Sequence, residues 1–159
     1  MNQAVQIDEW QNFSTGESAE TFHILLVEDN PADVSLIKEA LEDASCNIIL
    51  HHISDGEQAI RFLQQEVDKI PLRLILLDLN LPKKNGLDVL EAFRKTESST
   101  HIPVIILSMS NSPDDIDASY RNCANCYISK PVNFAEFEAV VRSIEDFWLN
   151  VVSISDHRE

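Results

Sequence analysis

The chain has 159 residues, 44% of them hydrophobic, with 27 acidic side chains against 12 basic ones and a formal charge of −15. That length supplies one domain with a real core but not two, and the acidity argues against direct binding to DNA, RNA or an anionic membrane, each of which needs a basic footprint. No apolar run approaches the roughly 20 residues that span a bilayer, no leader pattern opens the chain, and the odd cysteine count (Cys46, Cys123, Cys126) fits a reducing cytoplasm.

Residues 1–21 are polar apart from Trp10 and Phe13 and show no sustained period, so a flexible tail is expected. His23–Glu28 is apolar on both faces, as a strand buried between helices is. Asn30 and Pro31 provide a helix cap and first turn, and Val34, Ile37, Ala40 and Leu41 line one face of a helix reaching about Ala44. Asn47–Ile53 is a second strand whose alternation is disturbed at His51 and His52. Asp55 caps a second helix carrying Ala59, Ile60, Leu63 and Val67. Leu74–Leu77 is a third buried strand that runs into Asp78 and stops, because Pro82 cannot continue a ladder. Gly86 turns into a third helix with Leu87, Leu90 and Phe93 facing the sheet. Pro103–Leu107 is the fourth strand, ending at Ser108, and Pro113 opens a polar fourth helix anchored by Ile116, Ala118 and Tyr120. Cys126–Ser129 is the fifth strand, followed by Lys130 and Pro131. The last helix carries Phe134, Phe137, Val140, Val141, Ile144, Phe147 and Trp148, and residues 150–159 read as a second tail. Cys123-Ala-Asn-Cys126 has no second pair or nearby His to complete a zinc set, so the cysteines read as buried or half-buried structural thiols.

Five strands alternating with five helices predict an α/β fold: a doubly wound, five-stranded parallel sheet in the order 2-1-3-4-5. The first and third strands then meet at the switch point, with Glu28-Asp29 and Asp78 at their carboxyl ends, where such sheets keep their ligands. Carboxylates gathered there raise at least one pKa unless a cation sits among them. Oxygen-only donors favour a hard ion such as Mg²⁺, with Asp29 and Asp78 as direct ligands, Glu28 acting through water, and the backbone carbonyl of Asn80 turning back to the metal. Lys130 can reach across the fourth strand toward Asp78, and a cis Lys130–Pro131 bond would aim it inward. Ser108 lies beside both and can donate its hydroxyl proton to a phosphoryl oxygen. Taken singly these features are bland: a helix-capping acid pair, a surface lysine and a strand-end hydroxyl.

Glu28-Asp29 after strand one, Asp78-x-x-x-Pro82 after strand three, Ser108 after strand four and Lys130-Pro131 after strand five, in that order and spacing, closely resemble a bacterial response-regulator receiver domain of flavodoxin-like, CheY-like fold over residues 22–149. The resemblance implies that Asp78 is the phosphoacceptor, Glu28 and Asp29 the acidic pair, and Lys130 the invariant-type lysine. It puts Ser108 at the switch hydroxyl position and Tyr127 at the switch aromatic position. It also implies a two-component phosphorelay protein that accepts a phosphoryl group from a histidine kinase, catalysing only its own phosphorylation and slow dephosphorylation and so not an enzyme in the usual sense. Ser143–Leu149 and the short tail are similar to stand-alone regulators paired with phytochrome kinases. Asn85 stands where the family commonly has Asp, and Met109 where a small residue is common.

About ten residues follow the last helix, so output is expected by contact with a downstream protein that the sequence does not name. Adjacent Phe147 and Trp148 cannot both face one sheet, which suggests a homodimer through the fourth helix, fifth strand and fifth helix. Among rivals, a haloacid-dehalogenase-type phosphatase would want an Asp where Asn80 stands, and a P-loop nucleotidase lacks its Gly-rich GK[ST] loop. A phosphorylation-independent binding scaffold on the same fold is the remaining alternative, and it requires partner affinity to be indifferent to Asp78.

Overall fold

The computed structural model describes residues 4–13 and 20–155. Strands β1 (Asp8–Asn12), β2 (Thr21–Val27), β3 (Asn47–Ile53), β4 (Leu72–Leu77), β5 (Val104–Ser108) and β6 (Cys126–Ser129) make one sheet, ordered β1-β3-β2-β4-β5-β6. The α-helices are α1 (Pro31–Glu42), α2 (Gly56–Gln65), α3 (Gly86–Lys95), α4 (Pro113–Arg121) and α5 (Phe134–Glu145). Strands β2 to β6 are parallel and are the five expected strands in the expected order.

The sixth strand corrects the sequence reading. Asp8–Asn12, expected within a tail, pairs antiparallel with β3 in the register Trp10↔Leu50. Its ladder is made of backbone groups, so it needs no apolar alternation; Trp10 alone packs on the core. Asn12 closes the contact by donating from Nδ2 to the carbonyls of Leu41 and Glu42 at 2.9 and 3.0 Å, satisfying the end of α1. The other tail residues 1–3, 14–19 and 156–159 lie outside the described residues.

Both faces of the sheet are buried, which is why its central strands are continuously apolar. Ile24, Leu26, Leu74, Leu76, Ile105 and Leu107 pack under α1 and α5. Leu25, Val27, Ile75, Leu77, Val104 and Ile106 pack under α2 and α3. Each such side chain contributes about 1.5–3 kcal/mol on full burial. Helices α1, α2, α3 and α5 start where short polar side chains accept from the first turn: Asn30 from Ala32 N–H, Asp55 from Gln58 N–H, Asn85 from Asp88 N–H and Asn133 from Glu136 N–H.

Several local features differ from the expectations or sharpen them. Phe147 is half exposed, because Asp146–Val151 form a π-helical turn that rotates Leu149 into the core in its place. Phe134, at the first position of α5, is also exposed. In α4 only Ser119 is buried, and Tyr120 points outward with its hydroxyl accepting from Tyr127 N–H at 3.1 Å. The cysteines divide into buried Cys46, half-buried Cys126 and exposed Cys123; Cys123 sits in a left-handed turn at φ 64°. The described residues contain no cis peptide, so Lys130–Pro131 is trans and the lysine reaches inward without a cis bond.

Candidate functional site

Sheet register brings the acids together. Val27 and Leu77 are paired neighbours, so the next residue on each strand, Glu28 and Asp78, emerges at the same edge. Asp78 N–H donates to Val27 O and Glu28 N–H to Ile53 O, each at 3.0 Å, which fixes both backbones as the strands end. One carboxylate oxygen from each of Glu28, Asp29 and Asp78 falls within 4.8 Å of the others. On the far side, Ser108 pairs with Ser129, and Lys130 N–H then donates to Ser108 O at 2.7 Å. From there the lysine side chain crosses back to Asp78, placing Nζ 2.9 Å from Oδ2.

The same Nζ lies 2.5 Å from Glu28 Oε2 and 2.8 Å from Asp33 Oδ2. Asp33 is the member of the site that sequence reading missed. An acid in the first turn of a helix is an ordinary answer to the helix dipole, so only its i+4 spacing from Asp29 hinted at a shared face.

Glu28 is 1% exposed and Lys130 6% exposed, so their charges are weakly screened. The Glu28 carboxyl is pushed up to about 7: burial is the largest cause and the Asp78 charge adds to it, while Lys130 and Asn30 N–H offset part of the rise. Burial alone would depress the Lys130 amine, but the hydrogen bonds it donates to Asp33, Glu28 and Asp78 outweigh it and drive the pKa upward. One ammonium, bonded to Glu28, Asp33 and Asp78 with Asp29 beside them, leaves negative charge to spare, and every spare donor is oxygen. That set fits a hard divalent cation.

A stability test follows from Glu28. An acid whose folded pKa exceeds its unfolded value near 4.5 binds the extra proton in the folded state. Its stabilising contribution is complete below pH 4.5 and is lost as pH rises toward 7. The metal-free protein is therefore expected to lose on the order of 3 kcal/mol relative to Glu28→Gln across that window. Urea denaturation of the pair checks it, and a pH-independent difference contradicts it.

The loop after β4 is held from two directions. Asn80 N–H donates to Asp78 Oδ1 at 3.0 Å, orienting the carboxylate, and Asn80 itself is exposed. A Cβ on Gly86 would stand 2.2 Å from Asp78 O, so α3 can begin against the strand end only because that residue has no side chain. Gly56 plays the same part at α2, where a Cβ would meet Lys84 O at 1.9 Å. Lys83, at φ 67°, places Nζ 3.2 Å from buried Asp55. Burial raises the Asp55 pKa, but Gln58 N–H and Lys83 more than offset it and hold the carboxyl below its ordinary range.

Ser108 is fully buried at the end of β5, and its Oγ accepts from Ser110 N–H at 3.3 Å. Tyr127 is half-buried on β6 and donates from its hydroxyl to Ser110 O at 2.8 Å. The expected switch hydroxyl and switch aromatic thus meet at one residue, Ser110.

The family described as response regulator receiver domain matches residues 24–142. Response regulator Rcp1 of Synechocystis sp. is 42% identical over 134 residues, covering 82% of this chain and 91% of its own. An Mn²⁺-bound structure of Rcp1 superposes with a TM-score of 0.79 over 84% of this chain and 99% of that one. The phosphorylated cyanobacterial phytochrome response regulator RcpA, 40% identical, reaches a TM-score of 0.82 over 86% of this chain and 100% of its own. The receiver domain of the sensor histidine kinase PA1611 from Pseudomonas aeruginosa PAO1, with a magnesium ion in its active-site cleft, gives 26% identity and a TM-score of 0.64 over 82% of this chain and 98% of its own. Because the match runs from β2 into α5 and the two cyanobacterial regulators align almost end to end, the chain belongs to the response-regulator receiver family of two-component systems.

Proposed function

We propose that the protein is a single-domain response regulator that accepts a phosphoryl group on Asp78 from a phytochrome-type histidine kinase and signals by protein contacts. The observation that carries this reading is the Asp78 carboxylate at the end of β4, with Lys130 Nζ 2.9 Å away and the Glu28 and Asp29 carboxylates beside it. The likeness to Rcp1 and RcpA supports the phytochrome link.

In the transfer, a carboxylate oxygen of Asp78 bonds to phosphorus as the N–P bond of the kinase phosphohistidine breaks. The electron pair of that bond returns to the imidazole, which takes up a proton. Nothing on the protein need be deprotonated; the work is positioning and charge neutralisation. Asn80 N–H and Lys130 fix the two oxygens of Asp78, and Lys130 then donates to a phosphoryl oxygen. Glu28, Asp29, Asp78 and the backbone carbonyl of Asn80 would hold Mg²⁺, which when bound neutralises charge on the carboxylates and the phosphoryl oxygens.

The readout starts at Ser108. Turning its hydroxyl toward the phosphoryl group gives up the bond from Ser110 N–H, and Ser110 O is what holds Tyr127. Tyr127 is then free to rotate, and α4, with Ser119 alone buried, shifts at little cost. No helix among the described residues is long and apolar enough to cross a membrane.

The test is phosphotransfer from a labelled histidine kinase in Mg²⁺. A hydroxylamine-labile phosphate on the peptide holding Asp78 is expected; label on another residue, or none from any kinase or acetyl phosphate, overturns the reading.

The outward face of α4, β6 and α5 is the proposed dimer surface. A groove of about 370 Å³ there is lined by Ile128, Val140, Ile144, Phe147 and Trp148. Phe147 stands edge-on to Trp148 with ring centroids 5.5 Å apart. Sedimentation at micromolar concentration should show a dimer in the presence of beryllium fluoride and Mg²⁺. A monomer with and without the analogue would end the dimer proposal.

A further inference from the structure

An alkylammonium has three N–H bonds, and those of Lys130 face three carboxylates: Glu28 Oε2 at 2.5 Å, Asp33 Oδ2 at 2.8 Å and Asp78 Oδ2 at 2.9 Å. The amine is fully subscribed. If Asp78 is the phosphoacceptor, on which the following rests, a phosphoryl oxygen can gain Lys130 only by displacing one of these acceptors.

The three differ in what release would cost. Glu28 has a side chain 2% exposed, and its other oxygen is engaged by Asn30 N–H at 3.1 Å, so letting go would strand a buried carboxylate. Asp78 is tethered to the arriving group and stays beside the amine in any case. Asp33 has a side chain 20% exposed and sits in the first turn of α1, where water and the helix N-terminus can take over its charge.

We propose that Asp33 is the partner Lys130 gives up, a positioning residue that aims the amine in the empty site and competes with the phosphoryl group for it. A ligand shifts such an equilibrium only by its differential interaction with the two states. The Asp33–Lys130 bond belongs to the empty state, so it opposes phosphoryl uptake. Its charge also repels the incoming dianion. Asp33 is thus a brake set by this chain, in addition to its role in aiming the lysine.

The full-length chain is compared with Asp33→Asn and Asp33→Glu. Acetyl phosphate and Mg²⁺ are the donor pair: the Asp78 oxygen–phosphorus bond forms as the phosphorus–oxygen bond to acetate breaks and acetate leaves. Intact mass follows uptake, and calorimetry follows binding of beryllium fluoride with Mg²⁺. Asp33→Asn is expected to take up phosphate about fivefold faster and to bind the analogue about fivefold tighter, the scale of one charge-assisted bond near solvent. Asp33→Glu, which keeps the charge, should stay near wild type. A purely structural role would lower the melting temperature of Asp33→Asn without raising either quantity. Uptake and analogue affinity at or below wild type in Asp33→Asn, with Asp78 labelled in both proteins, overturns the brake and leaves Asp78 as phosphoacceptor. A wild-type protein that takes no phosphate on Asp78 removes both.

Discussion

Asp78→Asn is expected to carry no hydroxylamine-labile phosphate above background while remaining folded. The amide oxygen can keep only one of the two bonds, from Lys130 or from Asn80 N–H, because the carboxylate accepts them on different oxygens; the backbone bond from Asp78 N–H to Val27 O still holds the strand end. The exchange also removes a like charge from beside Glu28, one of the forces raising that carboxyl. Stability should therefore stay within about 1 kcal/mol of wild type or rise. The combination is what makes the result decisive: an unfolded variant would lose label trivially, whereas a stable one isolates the nucleophile. Labelling equal to wild type would move the chemistry off Asp78.

Lys130→Met should have the opposite profile, losing both activity and stability. The stem keeps most of its packing, but the counter-charge to Glu28, Asp33 and Asp78 is gone. Removing one member of a buried ionic network costs about 3–5 kcal/mol, since what remains is uncompensated charge. The cost is expected to be largest at pH 8, where Glu28 is ionised, and smaller at pH 5, where it holds its proton. Phosphate uptake should fall about 100-fold or more, because no amine meets the transferring oxygens. Denaturant titration at the two pH values and intact-mass kinetics check these points. A variant as stable as wild type at pH 8 would show that the network carries no net stability.

The legible parts of this chain were those where one residue type has one physical use. Leu74–Leu77 is apolar at consecutive positions, which only a strand covered on both faces explains so briefly, and Asp78 then ends it. The caps at Asn30 and Asp55 could be placed because a short polar side chain before a periodic run has a specific backbone donor to satisfy. Strand β1 escaped because its bonds are made by backbone, which no side-chain pattern reports. Asp33 escaped because many acids sit in first turns and few reach a lysine on another strand. Which of Phe147 and Trp148 turns outward was not legible, because a 3.6-residue period continued through Trp148 does not allow for the extra residue of a π turn. In each case the missing information was long-range: register, or the path of a helix in its last turn.

Strand β1 also bears on how safely this sheet can exist at high concentration. Without it, β3 would offer a seven-residue run of open amides and carbonyls, flanked by Ile48, Leu50 and Ile53, to any passing extended chain. With Asp8–Asn12 seated there, the rim facing water carries Asp8 and Glu9 instead, and two such rims repel. The stretch that reads as a polar tail is thus what keeps an aggregation-prone border out of reach.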